Sequence, residues 1–581
     1  MRWSRFVVLW LGFGLWLVVP VGCRGEAKPR SKVVEDAGVP VDALRVSTPA
    51  ERDALFLGVP TAKAVKGVIE RLAVKPHVAG TPANEEVAKE IMRTLGRMGW
   101  KIGTAPYGVY LPLPKRLAIK VAAEPAFELA VTEPAAAKYG DAPALLAWNA
   151  YSASGTVKGP VVYASYGGSA ELAALKRAGV DVKGKVLLLR YGAMYRGAQV
   201  AAAERAGAAA VIFYVDPEDE PERPRDSVQR GTVSYHWQYA GDPRTPGVAA
   251  SKDAPRIAIK DADVLPKLPV LTVTATEAEK LLAVIAGPAA TPELAGGLAG
   301  PYRIGPGPVV EVTVELDAET RPIRNIVAIL DGKSPHAVVL GNHYDAWGPG
   351  AVDPHSGTAT LIEIARGLRA LSLAGWRPQR TIILAFWDAG ELGMIGSTEW
   401  VEEQLEMLRA NAVAYFDIES VKAGALAVPS SPALREHVRS CAADVIDPAT
   451  GKGFVPTSGD LGSGSDWTPF LHHAGITSAA WETGPGKGAY HVAHSMLDDA
   501  EYARTRADPD FAFIPVIAQV MGLCAIRLAD AATLPLRYTE TVTSLTAALD
   551  ELAARPGAKL DRTALERALA SLREAATRAE G

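Results

Sequence analysis

Residues 381–391 read TIILAFWDAGE, an apolar run that passes directly into polar residues. The same transition occurs where residues 338–340 run into 341–345 and where residues 414–416 run into 417–419. Helical patterns, such as the spaced apolar positions from Ala359 to Leu368, alternate with these runs. Such alternation is typical of an α/β sheet that contains parallel strands. We therefore predict a mixed sheet, with strands near 325–330, 337–341, 381–387 and 412–418.

Composition excludes several classes of protein. The 581 residues include 61 Lys and Arg against 65 Asp and Glu, and 48% are hydrophobic. Such a chain can bury large cores, so it is neither disordered nor collagenous, and its length suggests three or four domains. The near-neutral charge gives no electrostatic reason to expect nucleic acid as a partner. Three cysteines cannot form a disulfide framework, and we expect Cys441 and Cys524 to be free buried thiols.

The amino terminus has the layout of a secretory signal. Arg2 and Arg5 precede an apolar run from Phe6 to Gly22, and a polar stretch follows Cys23. The sequence Val-Gly-Cys at 21–23 resembles a lipoprotein cleavage box, although Pro20 stands where such boxes usually have Leu. Attachment through lipidated Cys23, a non-cleaved membrane anchor and ordinary cleavage are the three alternatives. All three predict an extracytoplasmic protein, with 1–23 as the signal segment and 24–50 as a tether.

The texture of the chain changes along its length. Residues 146–320 contain many short β-like runs, which indicates an inserted, mostly β domain. The last fifty residues carry leucines at helical spacing, from Leu545 to Leu552 and from Leu565 to Leu572, with Pro556 and Gly557 between them. This pattern predicts two amphipathic helices.

Polar residues at the ends of the predicted strands are candidates for chemistry, because ligands bind beyond the carboxyl ends of parallel strands. The candidates are His343, Asp353, Glu391, Glu419 and His494. Two imidazoles and three carboxylates suit two zinc ions. One carboxylate would bridge the two metals, about 3.5 to 4 Å apart, and a water shared between them would lose a proton near neutral pH. Each residue also has an ordinary structural explanation, since Asp353 before a proline fits a turn and Glu391 favours a helix start. The spacing alone leaves both interpretations open.

A family resemblance favours the metal interpretation. The segments 376–378, 387–389 and 396–400, together with Glu391 and Gly393, resemble the aminopeptidase-like zinc peptidase family that includes glutamate carboxypeptidase II and the transferrin receptor. Further similar motifs lie at 76–81, 190–197, 229–231, 241–243, 353–354 and 494–495. The resemblance implies a zinc-peptidase domain formed by 51–134 and 321–530. It also implies a protease-associated domain at 135–320 and a partial helical dimerisation domain at 531–581, and hence the possibility of a homodimer.

The resemblance also implies roles for the site residues. His343 and Glu419 would bind one zinc ion, Glu391 and His494 the other, and Asp353 would bridge the two. Glu419 stands where the family usually has Asp. Asp345, two residues after His343, would orient that imidazole without touching the metal.

One departure from the family concerns catalysis. The family's general base is a Glu immediately before the ligand Glu391, and this position is Gly390. A positioned base increases the rate by a factor of about 10² to 10⁴, so the resemblance predicts weakened hydrolysis by this chain. The transferrin receptor, which has lost peptidase activity, similarly has Gly at this position. Asp388 is a candidate substitute base.

Substrate recognition is partly retained by resemblance. Arg196 matches the arginine that holds the terminal carboxylate of the substrate. Ala480 and Glu482 replace the arginines that recognise acidic residues, so an acidic dipeptide is not the expected substrate. Glu399 and Glu402, with Thr245 and the backbone of Val248, match a structural calcium site, and an acidic helix face is the alternative explanation.

Two functions follow from these observations. The first is an extracytoplasmic di-zinc exopeptidase, of carboxypeptidase or aminopeptidase type, that hydrolyses short peptides by metal-activated water. The second is a metal-retaining pseudopeptidase that binds a peptide or protein. We favour the first because the full ligand set is present.

Overall fold

The computed structural model describes residues 45–484, 490–556 and 560–580. The predicted signal segment 1–23, and the predicted tether as far as residue 44, lie outside the described residues.

The helices and strands are numbered here in chain order. The helices are α1 Pro49–Leu57, α2 Ala62–Leu72, α3 Pro82–Arg97, α4 Ser169–Arg177, α5 Arg196–Arg205, α6 Ala275–Leu282, α7 His355–Leu373, α8 Ile395–Glu403, α9 Leu405–Asn411, α10 Arg435–Ala442, α11 Ala500–Tyr502, α12 Ile514–Asp530, α13 Tyr538–Ala554 and α14 Arg562–Glu580. The strands are β1 Ile102–Tyr110, β2 Pro114–Val121, β3 Phe127–Leu129, β4 Asn149–Ala150, β5 Gly155–Tyr163, β6 Val186–Arg190, β7 Ala210–Tyr214, β8 Gly231–Thr232, β9 Val270–Thr272, β10 Val309–Leu316, β11 Thr320–Leu330, β12 Ser334–His343, β13 Arg380–Trp387, β14 Ala412–Asp417, β15 Ala425–Pro429, β16 Thr457–Gly459, β17 Ser478–Ala480 and β18 Glu482–Gly484.

The first large sheet has the order β1-β11-β13-β12-β14-β17. Its β1-β11 and β11-β13 pairs are antiparallel, and the other three pairs are parallel. Leu340 at the centre of the sheet lies beside Leu384 of β13 and Phe416 of β14. The structure therefore confirms the predicted mixed α/β sheet with parallel strands.

Both faces of this sheet are buried, which explains why its central strands are continuous apolar runs. Val338 and Leu340 pack with residues of α7 and α12 in one hydrophobic core. Val339 points to the opposite face and packs with Ile383 and Trp387 in a second core. The period of two along the strand thus divides one apolar run between two cores.

The second large sheet has the order β3-β2-β10-β5-β6-β7-β9. Its pairs from β3 to β5 are antiparallel, and those from β5 to β9 are parallel. This sheet forms the predicted inserted domain, with α4, α5 and α6 in its connections. It also includes β2 and β3, which precede the predicted boundary at 135, because β10 pairs with β2 on return to the first domain.

The last two helices, α13 and α14, confirm the two helices predicted here, and they pack against each other. Four of their leucines remain largely exposed, Leu545 and Leu552 at 47%, Leu565 at 45% and Leu572 at 43%, whereas Leu549 is buried. None of the helices within the described ranges combines the length and hydropathy needed to cross a membrane. Cys441 and Cys524 are free and buried, as the sequence predicted.

Candidate metal centre

The five predicted metal ligands meet at the carboxyl edge of the first sheet. His343 is the last residue of β12, and Glu391 and Glu419 follow the adjacent parallel strands β13 and β14. Asp353 lies in the loop before α7, and His494 lies in the loop that precedes α11. All five line one cavity of about 440 Å³. We call these five residues the catalytic rim.

Asp353 lies between the two imidazoles of the rim. Its Oδ1 is 3.5 Å from Nε2 of His343, and its Oδ2 is 3.6 Å from Nε2 of His494. Nε2 of His494 is also 3.4 Å from Oε2 of Glu391. A tetrahedral zinc ion with bonds of about 2.1 Å holds neighbouring donors about 3.4 Å apart. The observed separations therefore suit donors that share metal ions, with Asp353 in the bridging position.

The protonation of the two imidazoles also suits metal binding. Nδ1 of His343 lies 3.0 Å from the carbonyl of Asp345, and Nδ1 of His494 lies 2.9 Å from the carbonyl of Arg230. A carbonyl can only accept a hydrogen bond, so each Nδ1 carries a proton, and each Nε2 lies on the side of the rim, where its lone pair would bind a metal ion. The Asp345 carboxylate is 3.5 Å from Nδ1 of His343, and it accepts a hydrogen bond from the amide of Gly390 at 2.7 Å.

Two of the rim carboxylates each have an oxygen to which no described residue donates a hydrogen bond. Oδ1 of Asp353 and Oε1 of Glu391 are buried without a hydrogen-bond partner among the described residues. Burial, followed by the charge of Asp353, raises the pKa of Glu391 well above its usual value. Burial likewise raises the pKa of Glu419 to about 7. A buried carboxylate oxygen without a donor is costly unless a cation balances it, so these residues fit a zinc site.

Gly390 leaves no room for a side chain. A Cβ placed on it would lie 2.4 Å from Cβ and 2.6 Å from Cγ of His343. Any larger residue at 390 would therefore displace a metal ligand unless the loop moved. His343 thus occupies the space that a side chain would need at the position of the family's general base.

Asp388 is not the substitute base that the sequence suggested. Its Oδ1 accepts hydrogen bonds from Asn84 Nδ2 at 2.7 Å and from the Ala389 amide at 2.9 Å, and its Oδ2 accepts one from the Arg324 amide at 2.9 Å. Asp388 does not line the cavity. It holds together the strand ends beneath the rim.

Arg196 reaches the same cavity from the second sheet, at the start of α5. Its guanidinium makes no hydrogen bond or ion pair with any described residue, and it lies 5.7 Å from the ring centres of Tyr191 and Tyr195. Gly231 permits this position, because a Cβ there would lie 2.5 Å from Cζ of Arg196. An unpaired guanidinium in a cavity wall is suited to bidentate binding of a carboxylate.

Comparisons with known proteins agree with this geometry. The model of peptidase family M28 matches residues 325–511, and the PA domain model matches residues 157–258. The probable glutamate carboxypeptidase LAMP1 of Arabidopsis thaliana is 35% identical over 520 residues, covering 83% of this chain and 74% of that protein. The aminopeptidase NAALADL1 of Rattus norvegicus is 33% identical, covering 69% of this chain and 61% of that protein. The chain belongs to peptidase family M28.

Solved structures show the same fold as this M28 protein. BSAP, a zinc aminopeptidase from Bacillus subtilis, aligns with a TM-score of 0.54 at 20% identity, covering 80% of this chain and 94% of that one. A peptidase M28 precursor from Shewanella amazonensis aligns with a TM-score of 0.55 at 16% identity, covering 83% of this chain and 97% of that one. Membership confirms the predicted zinc-peptidase family with its inserted protease-associated domain. At the level of the family, the metal is zinc and the substrates are peptides.

Two residues that support the rim of the M28 site were missed from the sequence. Asp498 accepts hydrogen bonds from the amides of Val352 at 2.9 Å and Asp353 at 3.1 Å, which fixes the loop that carries Asp353. Arg230 receives the hydrogen bond from His494 and forms a buried ion pair with Glu133 at 2.5 Å. The acidic pair at 498–499, close to His494, was the available signal for Asp498. Arg230 lies within the family-like motif at 229–231, but its supporting role was not visible there because its partners Glu133 and His494 are distant in the chain.

The predicted calcium ligands lie in a second group of buried oxygens, between the two large domains. Glu399 and Glu402 are on α8, while Asp242, Thr245 and Val248 come from the inserted segment. We call Asp242, Thr245, Glu399 and Glu402 the interdomain cluster. Three of its oxygens, Oδ2 of Asp242, Oγ1 of Thr245 and Oε2 of Glu402, are buried without a hydrogen-bond partner among the described residues. The backbone of Val248 is held by a 3.0 Å hydrogen bond to the carbonyl of Thr245.

The two glutamates of this cluster are held differently. Glu399 accepts hydrogen bonds from the amide of Asp242 at 2.8 Å and from the amide of Ala250, so it joins α8 to the inserted segment. Glu402 accepts a hydrogen bond from the hydroxyl of Tyr239. Burial raises the pKa of Glu399 well above its usual value, and it raises the pKa of Glu402 to about 7. Glu399 thus has a structural role whether or not a cation binds.

Proposed function

We propose that this M28 protein is an extracytoplasmic di-zinc exopeptidase that removes the carboxyl-terminal residue of short peptides. The observation that carries the proposal is the meeting of two imidazoles and three carboxylates at one cavity, where two of the carboxylate oxygens have no hydrogen-bond donor in the described part of the chain. His343, Asp353 and Glu419 would hold one zinc ion, and Asp353, Glu391 and His494 the other. Bound zinc supplies a water of lowered pKa and polarises the scissile carbonyl.

The free guanidinium of Arg196 favours the carboxypeptidase type. It faces the same cavity as the rim, so it would bind the terminal carboxylate and place the last peptide bond over the metal ligands. The neighbouring aromatic residues Tyr195 and Trp237 line the cavity beside it and would contact the terminal side chain. The hydroxyl of Tyr195 donates to the carbonyl of Thr232 at 2.9 Å, which fixes its ring.

Proton transfer is the weak part of this site. Gly390 has no side chain that could accept a proton. The carboxylates that would face an attacking water are therefore those of the rim itself, Asp353, Glu391 and Glu419. We expect a rate about 10² to 10⁴ below that of a site with a dedicated base.

The test is hydrolysis of matched peptides by the zinc-loaded chain. N-acylated dipeptides with a free carboxyl terminus should be cleaved, and the same peptides with an amidated terminus should not. Arg196→Met should lower kcat/KM by about 10- to 100-fold through KM, since a charged hydrogen bond contributes about 1.5–3 kcal/mol. Arg205→Met, an exposed arginine at the other end of α5, is the control. Cleavage only of peptides with a free amine would contradict the carboxypeptidase assignment.

Gly390 favours a second candidate, a metal-binding pseudopeptidase. In that case the zinc-loaded chain binds peptides with free carboxyl termini but turns none of them over. Equilibrium binding of the same acyl-dipeptides, measured beside turnover, separates the two functions.

We further propose that calcium binds the interdomain cluster. The support is the set of three buried oxygens without partners, because calcium prefers oxygen ligands from carboxylates, hydroxyls and backbone carbonyls. Calcium should raise the unfolding temperature of the wild type and have no effect on Glu402→Gln. An equal shift in both proteins would contradict this site.

Attachment and assembly are proposals as well. We propose lipidation of Cys23 and pairing of two chains through the exposed leucines of α13 and α14. Mass spectrometry of the mature amino terminus tests the first, and unmodified Cys23 would refute it. Light scattering of the wild type and of Leu572→Glu tests the pairing of chains. If the variant kept the mass of a dimer, the interface would lie elsewhere.

A further inference from the structure

His437, Cys441 and Cys524 form a buried cluster away from the catalytic cavity. His437 and Cys441 lie one turn apart on α10, and Cys524 lies on α12, which packs against α10. A ring nitrogen and the two sulfur atoms lie within 4.8 Å of one another. The exposed fractions are 6% for His437, 1% for Cys441 and 0% for Cys524.

The geometry of this cluster favours a thiol pair over a metal site. Nε2 of His437 lies 2.9 Å from the carbonyl of Cys524, so this nitrogen carries the proton. The sulfur of Cys441 lies 3.8 Å from Nε2 and 3.9 Å from Nδ1 of the same ring. A sulfur equidistant from both nitrogens does not lie along the lone pair of either. A metal ion bound to that lone pair would be out of bonding distance of Cys441.

The surroundings instead favour a reactive thiolate at Cys441. The hydrogen bond from the Cys524 thiol, followed by the effect of His437, lowers the pKa of Cys441 to about 5. Burial raises the pKa of Cys524 above its usual value. Arg527, one turn after Cys524, adds positive charge nearby, and its own guanidinium pairs with Asp444 at 2.7 Å. The two cysteines therefore differ as an attacking and a resolving thiol do.

We propose that Cys441 and Cys524 form a disulfide bond that ties α10 to α12. The Cys441 thiolate attacks one sulfur of a small-molecule or protein disulfide, forms a mixed disulfide and releases one thiol, which takes the proton that Cys441 gave up. The Cys524 sulfur then attacks Cys441, and its proton leaves with the second thiol. Two protein thiols are oxidised, and one external disulfide is reduced to two thiols.

Access to Cys441 is through the end of α10. The helix ends at Ala442, and Ala443 and Asp444 are exposed. Opening of this last turn would expose the sulfur without unfolding the sheet. The bond would close the loop from 441 to 524, which includes His494 and the strands β16, β17 and β18.

The test uses the full chain with Cys23→Ser, so that two thiols remain. The reduced protein is equilibrated with oxidised glutathione, denatured and alkylated. We expect both thiols to be lost and a cross-linked peptide pair to contain Cys441 and Cys524. The oxidised form should unfold about 5 °C above the reduced form, because a long closed loop gives a disulfide a stabilising effect. In the cell the bond depends on the proposed extracytoplasmic location, whereas this experiment does not.

Single variants test the order of attack. In the same Cys23→Ser background, Cys524→Ser should accumulate a glutathione adduct on Cys441, while Cys441→Ser should leave Cys524 unreacted. His437→Gln should slow oxidation about tenfold, since thiolate fraction sets the rate. Arg439→Gln, an exposed position on the same helix, should not change it.

Three results would overturn the proposal. The first is that both thiols stay open to alkylation after equilibration. The second is a stable glutathione adduct in the protein with both cysteines. The third is protection of both thiols that a chelator removes, which would show a bound metal ion instead. Hydrolysis and zinc content report the rim separately, so failure of the proposed peptidase function would leave this test intact.

Discussion

The catalytic rim and the interdomain cluster are both groups of buried carboxylates, but they compensate the cost of burial in different ways. In the rim, Asp353 lies against two imidazoles, and two carboxylate oxygens have no hydrogen-bond donor among the described residues. In the interdomain cluster, Glu399 accepts hydrogen bonds from two backbone amides across the domain boundary, while one oxygen each of Asp242, Thr245 and Glu402 has no partner among the described residues. A buried carboxylate that accepts hydrogen bonds from backbone amides stabilises the fold, whereas a carboxylate that faces a cavity without such donors is available to bind a ligand. The predictions below test this difference, from the largest effect to the smallest.

Asp353, the proposed bridging carboxylate, should be essential to function and dispensable to folding. Asp353→Asn removes the charge that the proposed function assigns to both zinc positions, so we expect loss of zinc and a fall in kcat/KM of at least about 10³-fold. Metal content by mass spectrometry and hydrolysis of an acyl-dipeptide check it. Asp460→Asn, at an 81% exposed side chain, is the control. Zinc content equal to that of the wild type would contradict the bridging role.

Glu399 should behave in the opposite way. Glu399→Ala leaves the buried amides of Asp242 and Ala250 without an acceptor, so we expect a loss of about 2–4 kcal/mol in the free energy of unfolding. Glu399→Gln keeps one acceptor and should lose less. Chemical denaturation measures the effect, with exposed Glu406→Ala as the control. Unchanged stability in Glu399→Ala would show that the cluster does not hold the domains together.

Substitution of Gly390 tests whether the rim tolerates a side chain beside His343. Gly390→Ala forces a Cβ against His343, so zinc affinity should fall about 10- to 100-fold. Gly462→Ala, where a Cβ meets nothing within 4 Å, should keep wild-type affinity. For the same reason Gly390→Glu should not restore rapid hydrolysis. Increased turnover in Gly390→Glu would show that the loop can open to accept a base.

The smallest effect is the pH dependence of Glu402. Its pKa of about 7 in the folded protein exceeds its usual value, so the folded state binds the proton more tightly. The stability from this group is complete below the usual pKa and is lost as pH rises toward 7. Calcium should abolish this loss by stabilising the charged form. Thermal unfolding at pH 5 and pH 7.5, with calcium and with chelator, checks it. Glu402→Gln should show a smaller pH dependence than the wild type.

Much of the fold could be predicted from local pattern. The apolar runs ending at His343, Trp387 and Asp417 are buried on both faces, so they are continuous and easy to recognise. The start of the inserted domain could not be placed in this way. Strand β2 belongs with β10 through pairing over a long sequence distance, and no local signal shows which sheet a strand will join.

The sequence by itself determined the family, the sheet and the five rim residues, because the carboxyl ends of parallel strands meet at one edge and motif spacing is a local property. The tertiary structure decided which polar groups are already satisfied. It showed that Asp388 accepts hydrogen bonds from three donors, that Arg196 has no hydrogen-bond or ion-pair partner among the residues described, and that His343 fills the space beside Gly390. These features depend on distances between residues far apart in the chain, and hydrogen bonding and steric exclusion act over a few ångströms in space.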